Sequence, residues 1–206
     1  MSQKLPLRRP GRPKQTETSP DTKQFIMRTA AQMFMQQGYE KVSLAQVAKA
    51  CQLTKASLYY YFDTKAELFT QCVVNVLSFA EIQTRHIVTG DLPIDKKLQL
   101  AAIGRMRNAE IEFEAMLGNA RQSLSPEQIE LIRASEQAIY ATIATALQQA
   151  IDDGEIRQCD PMLTTHIYTS MLTLRNREHF MALMDNNIER AAEEIIQLLM
   201  HGLSKS

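Results

Sequence analysis

Residues 43–62, SLAQVAKACQLTKASLYYYF, hold the side chains best suited to chemistry. Ser43 with Gln46 three residues later is a capping box, so a helix should begin at Leu44. Thr54 is a second N-cap, and its helix is expected to reach about Phe62. At about 100° per residue, Leu58 and Phe62 fall on one side of this second helix, and Ala56, Tyr59 and Tyr60 on the other. Tyr61 lies nearer the inward side. The outward face offers a cation at its tip (Lys55), a small residue that permits close approach (Ala56), a hydroxyl (Ser57) and two phenols. Such groups hydrogen-bond phosphates and base edges, and a tyrosine ring packs on a thymine methyl. The helix N-termini capped by Ser43 and Thr54 present amides suited to phosphate, and Lys65 adds a cation at the start of the next helix. Two capped helices joined by a turn of about four residues form a helix-turn-helix, whose second helix enters the major groove of duplex DNA.

The charge distribution agrees. Residues 1–65 carry eleven Lys/Arg against four Asp/Glu, and residues 66–206 carry twelve against nineteen. A net charge of zero thus hides a basic head on an acidic body, which points to a polyanionic partner at the N-terminal end. Residues 1–19, with RRPGRPK followed by QTETS, cannot bury apolar surface and are expected to be disordered when free. Within them Arg9–Pro13 reads RPGRP, similar to an AT-hook core. Arg9 and Arg12 would then lie in a narrow A·T-rich minor groove. The alternative is a solvated tail.

The elements that must position these groups all read as helices. Gly and Pro are scarce, and no alternating β-branched or aromatic run is bounded by turn residues. The expected fold is all-α, with about nine helices. Helix 1 should start at Asp21 or Thr22, bury Ile26, Ala30, Met33 and Phe34, and stop at Gly38. A long fourth helix should run from Asp63 or Thr64 to about Val88. Further helices are expected near 93–108, 109–123, 126–154, 161–184 and 187–204. The expected domains are an arm (1–19), a DNA-binding unit (20–80, with the helix-turn-helix at 43–62) and a regulatory and dimerisation unit (81–206).

Other chemistries find little support. Cys51, Cys72 and Cys159 are too few and scattered for a disulfide framework or a CxxC metal site, and a reducing cytoplasm suits them. Cys51 reads as a packed thiol, with a redox sensor as the alternative. The four histidines lack HxxxH or HExxH spacing. No GxSxG, P-loop or dinucleotide-binding fingerprint is present, so no catalytic residue, metal or cofactor is expected. No stretch approaches the roughly 18 apolar residues of a membrane span.

The segment ACQLTKASLYYYFDTKAELF (50–69) resembles the TetR family of transcriptional regulators, which read approximately AGVSKGTLYYYFKSKEELF at this place. Upstream, AAQMFMQQGYEKVSLAQVA is similar to the family's first helix, glycine stop and second helix. The likeness covers about residues 22–80. Two positions depart: Gln52 stands where the family usually has Gly, and Asp63 where it often has Lys.

The resemblance implies a three-helix DNA-binding unit, a linking fourth helix, and a helical body that binds a small-molecule effector and forms a homodimer. The DNA contacts it implies are Ser43, Gln46, Thr54, Lys55, Ala56, Ser57, Tyr59, Tyr60 and Lys65, to which the AT-hook likeness adds Arg9 and Arg12 of the arm. The last two helices have wide apolar faces, so Ile167, Met171, Leu174, Ile195, Ile196 and Leu199 are expected at the dimer interface. Arg105, Met106, Met116, Tyr140, Arg175 and His179 are candidates for an effector pocket. The polar segment around Arg175, Arg177 and His179 reads alternatively as a solvated rim. Two-fold symmetry then calls for a palindromic operator. The implied function is a repressor released by its ligand. An activator or chromosome-organising protein of the same fold is one alternative, and a protein-interaction module that has lost DNA binding is another.

Overall fold

The computed structural model describes residues 20–107 and 113–203. Ten α-helices are present among them: α1 (Pro20–Gln37), α2 (Leu44–Ala50), α3 (Lys55–Tyr59), α4 (Lys65–Val88), α5 (Ile94–Arg107), α6 (Phe113–Ala120), α7 (Pro126–Asp152), α8 (Pro161–Leu172), α9 (Glu178–Leu183) and α10 (Ile188–Leu203). No strand occurs among the described residues. No helix there is long and apolar enough to cross a membrane.

The punctuation comes from local chemistry. Ser43 with Gln46 and Ser125 with Gln128 form complete capping boxes, and Asp160 caps α8 ahead of a proline at its first position. Gly38 ends α1 at φ +80° and Gly154 follows α7 at φ +74°, where a Cβ would be strained. Helix α1 starts at Pro20, one residue before the expected cap.

The first three helices and the turn after α3 bury Ile26, Ala30, Phe34, Val47, Ala48, Leu58 and Phe62 in one small core. Helix α4 closes that core with Leu68, Phe69 and Cys72, then continues past residue 80 to pack along α7. The expected boundary at residue 80 therefore falls within an unbroken helix. In the body, α5 lies against α10 and α8 against α7. Glu155 accepts the Ile94 amide (2.9 Å) and so supplies the first turn of α5 with a partner.

One long helix was expected over 161–184, but the structure breaks it. Helix α8 stops at Leu172, a 3-10 turn covers Thr173–Asn176, and α9 follows from Glu178. The hydroxyls of Thr169 and Thr173 donate back to the carbonyls of Thr165 and Ser170. Arg175 reaches away to the Met106 carbonyl on α5 (2.7 Å). Back-bonding hydroxyls compete with the helical ladder, and that tether draws the chain off the helix path. The turn into α10 uses Asp185 and Asn186, both at φ +55°, a conformation these two residue types tolerate.

Candidate nucleic-acid interface

The turn between α2 and α3 closes as a Schellman motif. The Leu53 amide donates to the Ala48 carbonyl (2.9 Å) and the Gln52 amide to the Lys49 carbonyl (3.1 Å), with Gln52 at φ +57°. Thr54 then caps α3 by accepting the Ser57 amide at 3.0 Å. The α-helix ends at Tyr59, not Phe62. Beyond it the Tyr60, Tyr61 and Phe62 amides still bond back to Ala56 and Leu58, so the geometry continues as a tightened turn.

This short helix is sharply two-sided. Leu58 and Phe62 are fully buried, whereas Tyr59 is 50% and Tyr60 71% exposed. Lys55 and Ala56 are exposed, and Tyr61 is half-buried with its ring edge-on to Tyr60. Lys41, ahead of α2, and Lys49, near its end, are exposed and add cations that the sequence reading had counted only in the bulk charge.

Four of the polar residues already hold local bonds. Ser43 and Gln46 bond each other through backbone and side chain, and the hydroxyls of Thr54 and Ser57 lie 2.8 Å apart. Their first task is to fix the starts of α2 and α3. Lys65 also holds partners within the chain. Its ammonium donates to the carbonyls of Tyr39 (3.0 Å) and Glu40 (3.4 Å) and sits 4.1 Å from the centre of the Tyr39 ring. Tyr39 itself, which the sequence reading did not single out, is buried among Phe34 and Phe69. Arg9 and Arg12 lie outside the described residues.

The candidate effector residues separate. Arg105 is exposed on α5 and Met106 beside it is fully buried. The Tyr140 ring stacks on His166 with centroids 4.8 Å apart, and its hydroxyl donates to Glu136 at 3.4 Å. Burial pushes the Tyr140 phenol up, Glu136 adds to the rise, and Thr169 and Arg105 oppose it. Arg175 bonds the Met106 backbone of α5, while Tyr140 of α7 packs on His166 of α8. His179 stays exposed on α9, and the side chain of Met116 lies outside the described residues.

The dimer candidates also divide. Ile195 and Ile196 are 3% and 4% exposed within one chain, so they pack in its own core. The hydrophobic period of α10 is strong, but it is satisfied by α5. Leu199 is half-buried. Ile167, Met171 and Leu174 instead line an open groove of about 470 Å³ on α8, together with His166 and Ser170.

Comparison with known proteins follows this division. Residues 26–72 match the family of bacterial regulatory proteins of the tetR type, and residues 94–203 match the tetracyclin repressor-like C-terminal domain. The chain is 28% identical to the HTH-type transcriptional regulator YhgD of Bacillus subtilis, over 71% of this chain and 78% of that protein. It is 33% identical, over 28% of this chain and 31% of the other, to IcaR of Staphylococcus epidermidis, a negative transcriptional regulator of the icaADBC biofilm operon. The fold matches FadR from Bacillus subtilis, a transcriptional regulator solved with stearoyl-CoA, at a TM-score of 0.68 and 17% identity, covering 84% of this chain and 95% of that one. The chain belongs to the TetR family of transcriptional regulators.

Proposed function

We propose that this regulator is a repressor that binds a two-fold symmetric operator as a homodimer and releases it when a small molecule enters the helical body. One observation carries the DNA part: the outer face of α3 presents Lys55, Ala56, Tyr59 and Tyr60 to solvent while its inner face is fully buried. An exposed pair of phenols and a cation on a rigidly seated, capped helix is what a major-groove reader offers. Ser43, Gln46, Thr54 and Ser57 hold the helix N-termini that meet phosphates, and Arg9 and Arg12 reach the adjacent minor groove. The negative regulation ascribed to IcaR supports the sign of the effect.

The groove on α8 is the surface for a second copy, with Ile167, Met171 and Leu174 in it. The effector site lies among Arg105, Met106, Tyr140 and Arg175. A ligand there shifts α4, which runs unbroken from the DNA-binding unit into the body, and changes the separation of the two recognition helices. The stearoyl-CoA held by FadR makes a long acyl thioester a sensible first probe.

The test is a gel shift with the DNA flanking the protein's own gene. Wild type should retard a palindromic fragment in the presence of competitor DNA, and stearoyl-CoA or another metabolite should reverse it. Tyr60→Ala and Lys55→Met should each abolish the specific band while leaving the fold intact. Retention of that band by both variants would overturn the assignment of α3.

A further inference from the structure

A cation at the first position of a helix is electrostatically misplaced, because that end of the helix carries partial positive charge. Lys65 occupies this position on the 24-residue α4. Its surroundings supply a reason. The ammonium donates to two successive carbonyls, Tyr39 and Glu40, in the turn between α1 and α2. The same ammonium lies 4.1 Å from the centre of the Tyr39 ring. Phe69, one turn further along α4, meets the same ring edge-on at 4.9 Å. Lys65 and Phe69 therefore grip Tyr39 from one face of α4, and the stem of Lys65 is half-buried in doing so.

We infer that Lys65 is a positioning residue that braces the α1–α2 turn against α4 and so sets the pose of α2 and α3, in place of serving as a phosphate contact. A phosphate ligand needs an ammonium free to face the backbone of DNA. Here two of its three N–H bonds and the approach over the ring are committed inside the chain. Tyr39 also links this brace to the body. Ser123, in the turn after α6, lies near its phenol and opposes the rise that burial imposes on it. The inference rests on the DNA-binding reading above, but its first test does not.

That test is lysine methylation of the wild-type protein followed by mass spectrometry, with and without operator DNA. In the free protein Lys65 should react about tenfold more slowly than exposed Lys55, since reaction waits on local opening of the brace. DNA should then protect Lys55 and add little at Lys65. Equal reactivity of the two lysines in free protein, with DNA protecting both, would overturn the inference. A second test measures operator affinity against salt. Lys65→Met should weaken binding at every salt concentration with the slope unchanged, and Lys65→Arg should restore it. A slope reduced by about 0.9, the signature of one lost phosphate contact, would overturn it. If wild type binds no operator, the DNA-binding reading fails, and methylation of the free protein still decides the brace.

Discussion

Glu81 on α4 accepts a hydrogen bond of 2.7 Å from the Thr142 hydroxyl on α7, joining the helix that enters the DNA-binding unit to the longest helix of the body. The Arg85 guanidinium also donates to Glu81, at 2.8 Å. These partners, Thr142 foremost, hold the Glu81 carboxyl below its ordinary pKa against the opposing effect of burial.

The sign of the pH dependence follows. A carboxylate with a lowered folded-state pKa contributes stability that is present above its ordinary value and lost as pH falls through the lowered one. Thr142→Val should therefore lower stability by about 1.5 kcal/mol at pH 7, the low end for a hydrogen bond to a charged group. The difference from wild type should shrink as pH drops from 5 towards 3. Urea unfolding at stepped pH measures it. A difference constant across that range would mean that the carboxylate charge contributes nothing.

Gln52 sits at φ +57° in the turn of the helix-turn-helix, the conformation that glycine adopts freely. Replacing it by glycine removes a steric cost of about 1 kcal/mol, partly offset by the greater freedom of the unfolded chain. Gln52→Gly should raise the melting temperature slightly, and Gln52→Val should lower it. A lower melting temperature for the glycine variant would show that the Gln52 side chain has a partner worth more than the strain.

Residues acting within their own neighbourhood were legible in the sequence. The capping box at Ser43, the glycine stops at 38 and 154, and the outward phenols of α3 depend on local spacing, and the structure places them where that spacing puts them. What depended on partners distant in sequence was not. Ile195 and Ile196 formed an apolar stripe, but a stripe does not say whether it meets α5 of the same chain or a second copy. Nothing in the neighbourhood of Lys65 announces its bonds to the Tyr39 and Glu40 carbonyls, 26 and 25 residues away. The break after Leu172 was hidden for the same reason, since Arg175 is tethered to a carbonyl 69 residues earlier.

Tyr168 is 1% exposed and its hydroxyl donates to the Leu98 carbonyl at 2.9 Å, tying α8 to α5. Burial pushes the phenol far above its usual range, so it stays a neutral donor at any working pH. Tyr168→Phe keeps the ring and removes one bond. The expected loss is about 1 kcal/mol, read from the urea midpoint with an unchanged slope. No loss would show the ring alone to be sufficient.

The thiols should separate under alkylation. Cys72 is buried, donates to the Met27 carbonyl at 3.3 Å, and is pushed up to about 12 by burial. Cys51 is buried and pushed up as well. Neither forms the thiolate that attacks iodoacetamide. Native protein at pH 8 should therefore take one label, at half-buried Cys159, and unfolded protein three. Rapid native labelling of Cys51 would revive a redox role for the helix-turn-helix.

The arm offers the most direct reading of electrostatics in operator binding. Residues 1–19 contain five Lys/Arg and one Glu, and α1 begins immediately after them. Each cation seated on DNA releases condensed counterions, so the logarithm of the affinity falls with the logarithm of salt by about 0.9 per contact. Removing residues 1–19 should lower that slope by about two to four units, with the melting temperature unchanged because no described core residue is lost. Arginines flanking a glycine favour a narrow minor groove, so replacing A·T pairs beside the half-sites with G·C should weaken the full chain and leave the truncated one indifferent. An equal slope for both proteins would make Arg9 and Arg12 part of a solvated tail.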